Sequence, residues 1–207
     1  EDETKALMSH EKERMEKLEW MSQITTAPLV LGPAVWHFNS IILLGFLSKN
    51  KNKIKLPLSK SEFVHLVYAE AKKEQELSGV PAGVTTAQAI LETGYGKSVP
   101  KDIETGKYSY NLFGIKAHGN ENFVTVWTHE EINGNKVKIK DEFMAYDSFE
   151  DSIRGRTSFF KNNKRYSSLF ESQDSEKWAN GLQEKGYATD SKYAGKLISI
   201  MNQWSLK

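Results

Sequence analysis

The first 47 residues contain a charged segment followed by a strongly hydrophobic one. Apolar residues recur at helical intervals up to residue 21, where Met8, Met15, Leu18 and Met21 predict an amphipathic helix. A run without formal charge follows at residues 28–47. Its length suits a transmembrane helix, whereas its prolines, glycines and polar residues favour a buried hydrophobic helix or hairpin, and both interpretations stay open.

A basic and polar stretch at residues 49–55 separates this hydrophobic run from the rest of the chain. Alternating lysine and asparagine residues have no apolar surface to bury, so we expect a linker that ends at Pro57. The pattern therefore predicts an N-terminal helical and hydrophobic appendage at residues 1–58 and a second domain at residues 59–207. The appendage would anchor the chain to a membrane, dock on the second domain or bind a protein partner.

Helical signals dominate the second domain. Ser59 or Ser61 is expected to cap a first helix, which runs to about residue 75. Thr85 or Thr86 is expected to cap a second helix over residues 87–92, closed by Gly94. The same reading predicts three later helices, at residues 148–160, 175–185 and 191–204.

Two stretches interrupt the helical pattern. Residues 123–127 and 137–140 alternate apolar and polar positions, as strands do, and an Asn-Gly pair at 133–134 is a strong hairpin signal. The predicted fold class is α+β, with a mostly helical body and a small β-hairpin lobe.

Composition narrows the chemistry that this domain can perform. The 207 residues carry 28 Lys and Arg against 27 Asp and Glu, and a net charge of +1 gives no support for nucleic-acid binding. The chain has no cysteine, which excludes disulfides, zinc–thiolate sites and a cysteine nucleophile. Its five histidines form no HExxH pattern, so we expect no metal and no cofactor.

Glu92 is the first candidate for chemistry. It ends a short apolar helix, where desolvation and the negative end of the helix dipole both disfavour the ionised carboxylate. A carboxylic acid that stays protonated near neutral pH can donate its proton to a leaving oxygen. The alternative is an ordinary solvated glutamate, which is what a helix end usually carries.

Glu130, with Glu131 beside it, is the second candidate. The pair ends one predicted strand just before the expected hairpin turn. Glycoside hydrolysis uses two carboxyl groups on separate elements, one as the proton donor and the other to activate water or stabilise positive charge. The alternative is that both glutamates are solvated charges at a hairpin tip.

Aromatic residues cluster in sequence near these two carboxyl groups. The faces of sugar rings stack on aromatic planes, while hydroxyl and amide groups bind the ring edges. The candidates for substrate contacts are Gln88, Tyr95, Tyr110, Asn111, Phe113, Tyr187 and Tyr193.

Four segments in order resemble the motifs of one known family. They are AQAILETGYGKS at 87–98, YNLFGIK at 110–116, a hairpin segment at 127–134 continued by FMAYDS at 143–148, and GYATD with a following Tyr-Ala at 186–194. Together they resemble the bacterial glucosaminidases of glycoside hydrolase family 73, of the flagellar and autolysin type. The resemblance covers about residues 59–207.

The resemblance implies a lysozyme-like fold and an endo-β-N-acetylglucosaminidase that cleaves the N-acetylglucosaminyl-β-1,4-N-acetylmuramic acid bond of peptidoglycan. It matches Glu92 to the general acid of the family and Glu130 to the hairpin glutamate that serves as the second catalytic carboxylate. Glu130 would either activate water or orient the substrate's own 2-acetamido oxygen, and the sequence leaves this choice open.

Peptidoglycan strands are the implied partner, and the implied location is extracellular, in the cell wall or on the outer face of the cytoplasmic membrane. Two other functions stay open. One is a lytic transglycosylase, which also uses a single glutamate on a lysozyme-like fold, and the other is a non-catalytic module that binds or assembles the cell wall.

Overall fold

The computed structural model describes residues 57–119, 122–132 and 135–206, with residues 130–132 and 135–136 described by their backbone alone. The amphipathic helix, the hydrophobic run and the linker predicted before Pro57 lie outside these ranges. Within the described ranges, no helix combines the length and apolar character needed to cross a bilayer.

Helix α1 spans Lys60–Ser78. Of the two predicted caps, Ser59 is the one that the structure uses: its hydroxyl accepts a hydrogen bond from the Glu62 amide at 3.2 Å. The Glu62 carboxylate in turn accepts the Ser59 amide at 2.8 Å, which completes a capping box. Gly79 ends the helix in the left-handed conformation, with φ of 77°.

Helix α2 spans Ala82–Thr93 and begins well before the predicted residue 87. The prediction that Thr85 or Thr86 caps this helix is wrong, because both hydroxyls donate to main-chain carbonyls one turn back within it. The helix start is instead satisfied from α1, where the side-chain oxygen of Gln75 accepts the Ala82 amide at 2.8 Å. A tertiary contact thus replaces the local cap that the sequence suggested.

Helix α2 is the central element of the described domain, and all residues from 82 to 90 are buried. Gly83 allows the C-terminal segment to come close, because a Cβ at this position would lie 3.0 Å from the carbonyl oxygen of Leu206. A helix that is buried on all sides carries few polar groups, and those it does carry need partners inside the protein.

The predicted hairpin is confirmed. Strand β1 spans Phe123–Ile132 and strand β2 spans Asn135–Met144, and they pair antiparallel over their full length. Both strands are longer than the alternating pattern indicated. Val124 is fully buried, whereas the Trp127 side chain is 51% exposed, so the hairpin contacts the body mainly near its base.

Three further helices complete the domain: α3 spans Phe149–Asn162, α4 spans Ser175–Glu184 and α5 spans Tyr193–Gln203. All three correspond to predicted helices. A 3-10 helix at Lys164–Glu171 was not predicted, because only Tyr166 and Leu169 are buried in it and two apolar positions make no periodic stripe.

The core lies around α2, where α1, α3, α4 and α5 pack their apolar faces. The largest side chains that are essentially inaccessible to solvent include Trp178, Phe63, Phe160 and, unexpectedly, the charged Arg156. The α+β class, with a helical body and one small sheet, is therefore confirmed.

Candidate active site

Glu92 lies in the last turn of α2, two residues before the first of the two glycines that surround Tyr95. Gly94 ends the helix with φ of 56°, which turns the chain away and leaves the Glu92 side chain at the surface. The phenolic hydroxyl of Tyr193 donates a hydrogen bond to Oε1 of Glu92 at 2.8 Å. The site therefore joins the end of α2 to the start of α5.

The environment of Glu92 changes its acidity. The residue is exposed along a cleft, yet enough protein surrounds its carboxyl group for burial to raise its pKa above the ordinary value. The hydrogen bond from Tyr193 acts in the opposite direction and is the smaller effect. The predicted direction of the shift is thus found, with desolvation as its main cause.

A cleft of about 350 Å³ runs past this carboxyl group. A groove of this size is suited to part of a polymer chain or a small ligand. Aromatic and small residues form much of its surface, and two basic residues lie on one wall; its lining is Glu92, Phe113, Gly114, Ile115, Lys116, His118, Phe159, Tyr187 and Ala188.

One wall of the cleft is continuous with the hairpin. The amide of Ala117 donates to the carbonyl of Glu142 at 2.9 Å, and the amide of Met144 donates to the carbonyl of Ile115 at 2.9 Å. An ion pair of 2.7 Å between Lys116 and Asp141 reinforces this junction, and it lowers the pKa of Asp141. Movement of the hairpin base would therefore displace the wall that faces Glu92.

Asn111 shapes this wall from behind. Its side chain is completely buried, and its amide nitrogen donates to the carbonyls of Ile115 and Met144 at 2.8 and 3.0 Å. Its oxygen accepts the amides of Phe113 and Ile115. Because all four hydrogen-bonding positions of the side chain are occupied, the predicted substrate contact of Asn111 is corrected to support of the loop.

Gln88 also lies behind the site. The side chain has no exposed surface, and its amide nitrogen donates to the Tyr193 hydroxyl at 2.8 Å. It cannot reach a ligand in the cleft, so its predicted substrate contact is corrected to a contact within the protein. Tyr193 itself is only 4% exposed and meets the site through Glu92.

The remaining aromatic candidates divide into two groups. Phe113 and Tyr187 line the cleft together with Glu92, where stacking on a sugar ring stays a prediction. Tyr95 packs against Trp204, whose indole nitrogen donates to the Tyr95 hydroxyl at 3.1 Å. Tyr110 packs between other aromatic rings, so neither Tyr95 nor Tyr110 is part of the cleft lining.

Glu130 belongs to the far part of the hairpin. The strand register places it opposite Val137. Its side chain lies outside the described part of the structure, so its approach to Glu92 stays a prediction. Within the described residues, no three His, Cys, Asp or Glu side chains group in a way that could hold a metal ion.

Several residues of the site were not predicted from the sequence. Lys116, His118 and Phe159 line the cleft, but single residues in a loop or on a helix surface give no pattern to detect. Arg156 could have been found. It falls three residues after Ile153 and four before Phe160, both buried, so a charged residue occupies the buried face of its helix.

Known proteins resemble this chain over most of the described domain. A family model described as Glucosaminidase, mannosyl-glycoprotein endo-beta-N-acetylglucosaminidase, matches residues 68–206. Peptidoglycan hydrolase FlgJ of Escherichia coli (strain K12) is 37% identical over 150 residues, which cover 72% of this chain and 48% of that protein. Exo-glucosaminidase LytG of Bacillus subtilis (strain 168) is 32% identical over 149 residues, which cover 70% of this chain and 51% of that protein.

A solved structure is similar over the same region. A peptidoglycan hydrolase mutant from Sphingomonas sp. A1 superimposes with a TM-score of 0.62 and 39% sequence identity, covering 72% of this chain and 96% of that one. The chain spans about half the length of the two relatives described above.

Proposed function

The chain belongs to the glucosaminidase family, and from this premise we propose that it is an endo-β-N-acetylglucosaminidase that hydrolyses the N-acetylglucosaminyl-β-1,4-N-acetylmuramic acid bond of peptidoglycan. The observation that carries the proposal is the cleft in which Glu92, its pKa raised by burial, faces aromatic walls. Relatives named as peptidoglycan hydrolases support the choice of substrate.

Glu92 is the general acid in this proposal. Its un-ionised carboxyl group donates a proton to the glycosidic oxygen as the bond to the anomeric carbon breaks, and positive charge develops on the sugar. The raised pKa keeps a larger fraction of Glu92 protonated near neutral pH than in an ordinary glutamate. Phe113 and Tyr187 provide apolar surface on which a sugar ring can stack.

Glu130 is the second catalytic carboxylate in this proposal. It either removes a proton from water that attacks the anomeric carbon, or orients the 2-acetamido oxygen of the substrate for internal attack. The junction between the hairpin base and the cleft wall supports this role, because it connects the strand that carries Glu130 to the groove.

The proposed substrate fixes where the protein acts. Peptidoglycan lies outside the cytoplasmic membrane, so action is extracellular or periplasmic, and we propose that it takes place in the cell wall or on the outer face of that membrane. In this proposal residues 59–207 form the catalytic domain and residues 1–58 form an appendage that anchors or docks it.

Product analysis tests the proposal. Purified peptidoglycan is digested with the full chain or with Glu92→Gln, and the released muropeptides are identified by mass spectrometry before and after borohydride reduction. We expect new reducing N-acetylglucosamine ends from the wild type and none from the variant. Anhydromuramic acid ends would indicate a lytic transglycosylase, and binding without any product would indicate a non-catalytic wall-binding module.

The size of the products tests the endo action. Cleavage within strands releases long oligosaccharides early in the digestion, whereas an exo enzyme releases short products from the start. The Bacillus subtilis relative is named an exo-glucosaminidase. Long early products are expected, and short products throughout would restrict the proposal to exo cleavage.

A further inference from the structure

Arg156 is a buried cation behind the proposed acid. Its side chain is 1% exposed, and its guanidinium lies over the rings of Phe160 and Phe113 at 4.7 and 5.3 Å. Its hydrogen-bond acceptors are neutral: Nε donates to Oε1 of Gln88 at 2.7 Å, Nη2 donates to the same oxygen, and Nη1 donates to Oγ1 of Thr85 at 2.9 Å. Burial lowers the pKa of Arg156 to about 10, so the group stays charged at neutral pH.

A buried charge without an ionised partner is unfavourable for folding, since transfer out of water is not balanced by a salt bridge. None of the ion pairs among the described residues involves Arg156. Packing alone does not explain a buried charge of this kind. The hydrogen bonds that the guanidinium donates connect it to the proposed active site.

Hydrogen bonds connect Arg156 to Glu92 through two intervening side chains, and Arg156 fixes which group donates in each of them. A guanidinium has donors and no acceptor, so the Gln88 oxygen must face Arg156 and the Gln88 amide nitrogen must face away. That nitrogen donates to the Tyr193 hydroxyl at 2.8 Å. With its oxygen accepting from Gln88, Tyr193 directs its single proton to Oε1 of Glu92, 2.8 Å away.

This direction determines where the acid can carry its proton. Oε1 of Glu92 is held as an acceptor, and the carbonyl oxygen of a neutral carboxyl group is the better acceptor of its two oxygens. The transferable proton is therefore favoured on Oε2. Reversal of any hydrogen bond in the chain would remove this preference, and the carboxyl group would lose its fixed orientation.

We propose that Arg156 is a positioning residue that acts through Gln88 and Tyr193, placing the proton of Glu92 on Oε2 and stabilising the carboxylate that remains after proton transfer. This inference rests on the proposed function, in which Glu92 is the acid. As Glu92 becomes negative during bond cleavage, the polarised chain strengthens because a charge-assisted hydrogen bond is stronger than a neutral one. The Arg156 charge is thus compensated at the moment of reaction.

The other groups around Glu92 do not provide this control. Tyr187 and Tyr193 approach from the segment around the start of α5, Arg156 lies on α3, and Lys116 and His118 line the cleft with Glu92. Tyr187 interacts with the Gln88 side chain, whereas Tyr193 donates to the carboxyl group, so the described hydrogen bonds connect Arg156 to Glu92 through Gln88 and Tyr193.

Gln88→Glu is the sharpest test, because it changes one donor into an acceptor with almost no change in shape. The new carboxylate pairs with Arg156 and gives the buried cation an ion-pair partner, so the fold is retained. The carboxylate at position 88 cannot donate to Tyr193. The Tyr193 hydroxyl then donates to residue 88, and its hydrogen bond to Glu92 is lost. Arg156→Met, with Arg154→Met on the exposed face of the same helix as its matched control, removes the source of the chain.

The measurements are the thermal midpoint, and kcat and KM on purified peptidoglycan across pH. We expect Gln88→Glu to keep its midpoint and KM, to lose about tenfold in kcat, and to move the basic limb of the kcat/KM profile upward by about half a pH unit or more. That limb follows Glu92, which must be protonated and which loses a hydrogen bond that lowers its pKa. Arg156→Met is expected to show the same kinetic pattern, and Arg154→Met none of it.

A folded Gln88→Glu protein with wild-type kcat and an unmoved basic limb would overturn the inference while leaving the acid in place. If Arg156→Met does not fold, Gln88→Glu alone decides the question. If Glu92→Gln retains activity, the proposed function itself fails. The two failures are therefore distinguishable.

Discussion

The helical body and the hairpin hold their proposed catalytic carboxyl groups in different ways. In the body, Glu92 ends a helix that is buried on all sides, and a buried tyrosine donates to one of its oxygens. In the hairpin, Glu130 lies on a two-stranded sheet whose contacts with the body are mainly at the base, and such sheets are marginally stable alone.

This difference matches the demands of the two roles. Proton donation requires a carboxyl group whose orientation and pKa are fixed before the substrate binds, which a dense interior provides. Activating water or orienting an acetamido group requires only that a carboxylate reach the substrate once it is bound. Each of the following changes tests one side of this comparison.

The largest effect is expected in the body, from Glu92→Gln. Loss of the general acid should lower kcat by about 10³-fold, measured as release of reducing ends from purified peptidoglycan. Glu76→Gln on the exposed surface of α1 is the matched control and should keep full activity. Near wild-type turnover by the Glu92 variant would remove the acid from the account.

The thermal midpoint of Glu92→Gln gives an independent check. Burial raises the pKa of Glu92, so the folded protein retains this proton to higher pH than the unfolded chain. Ionisation of Glu92 therefore lowers stability as pH rises through its folded pKa. A neutral glutamine avoids this, and we expect a midpoint at neutral pH equal to or above that of the wild type.

A smaller loss is expected in the hairpin, from Glu130→Ala. The remaining acid can still protonate the leaving oxygen, so we expect kcat to fall by about 10- to 100-fold in the same assay. Glu131→Ala, at the next position of β1, is the matched control. Wild-type turnover in Glu130→Ala would direct attention to Glu131 or Asp147 as the second carboxylate.

Tyr193→Phe, in the helical body, is expected to lower kcat less than Glu92→Gln does. It removes the donor to Glu92 and leaves the Gln88 amide without its acceptor, so we expect about a tenfold lower kcat and about 1 kcal/mol lower stability. The basic limb of the pH profile should move upward, because this hydrogen bond lowers the pKa of Glu92. A downward shift would contradict the assigned direction of the hydrogen bond.

The smallest effect is expected from Asp102, which holds the base of the hairpin through the Thr125 amide. Asp102 accepts the amide of Thr125 at 2.9 Å, and its hydrogen bonds, first that from the Thr105 amide, hold its pKa below the ordinary value. Asp102→Asn should speed exchange of the Thr125 amide less than about tenfold, measured by hydrogen exchange, with Glu104→Gln as control. Unchanged exchange would show that this hydrogen bond is unimportant.

The hydrogen bonds of Asp102 have a definite pH dependence. Because its pKa is lower in the folded protein than in the unfolded chain, its contribution to stability is fully present above the unfolded-state pKa. That contribution is lost as the pH falls toward the folded-state pKa. Faster Thr125 exchange in the wild type below about pH 4 is the expected sign, after correction for intrinsic exchange rates.

Local signals in the sequence predicted most of the elements. The Ser59 cap of α1, the helix predicted at residues 148–160 and the paired strands depend on residues close together in the chain, where hydrogen-bond geometry follows directly from residue type. The start of α2 was missed because its first amide is satisfied by Gln75 of another helix.

The support of the site could not be predicted in this way. Glu92 and Tyr193 are 101 residues apart in sequence, and Gln88 and Arg156 are 68 apart, so only the folded chain shows that they meet. Gln88 and Asn111 were predicted to contact the substrate, whereas both side chains are buried behind the cleft. Side chains that can bind a sugar are the same side chains that satisfy buried polar groups.

Burial of its surroundings is expected to raise the pKa of Glu92 above that of an ordinary glutamate, and a direct titration of its carboxyl carbon by NMR tests this. The wild type is labelled with ¹³C at the glutamate side-chain carbonyl, and the Glu92 resonance is assigned by its loss in Glu92→Gln. We expect a pKa clearly above the ordinary glutamate value of about 4.3. A pKa at or below that value would contradict it.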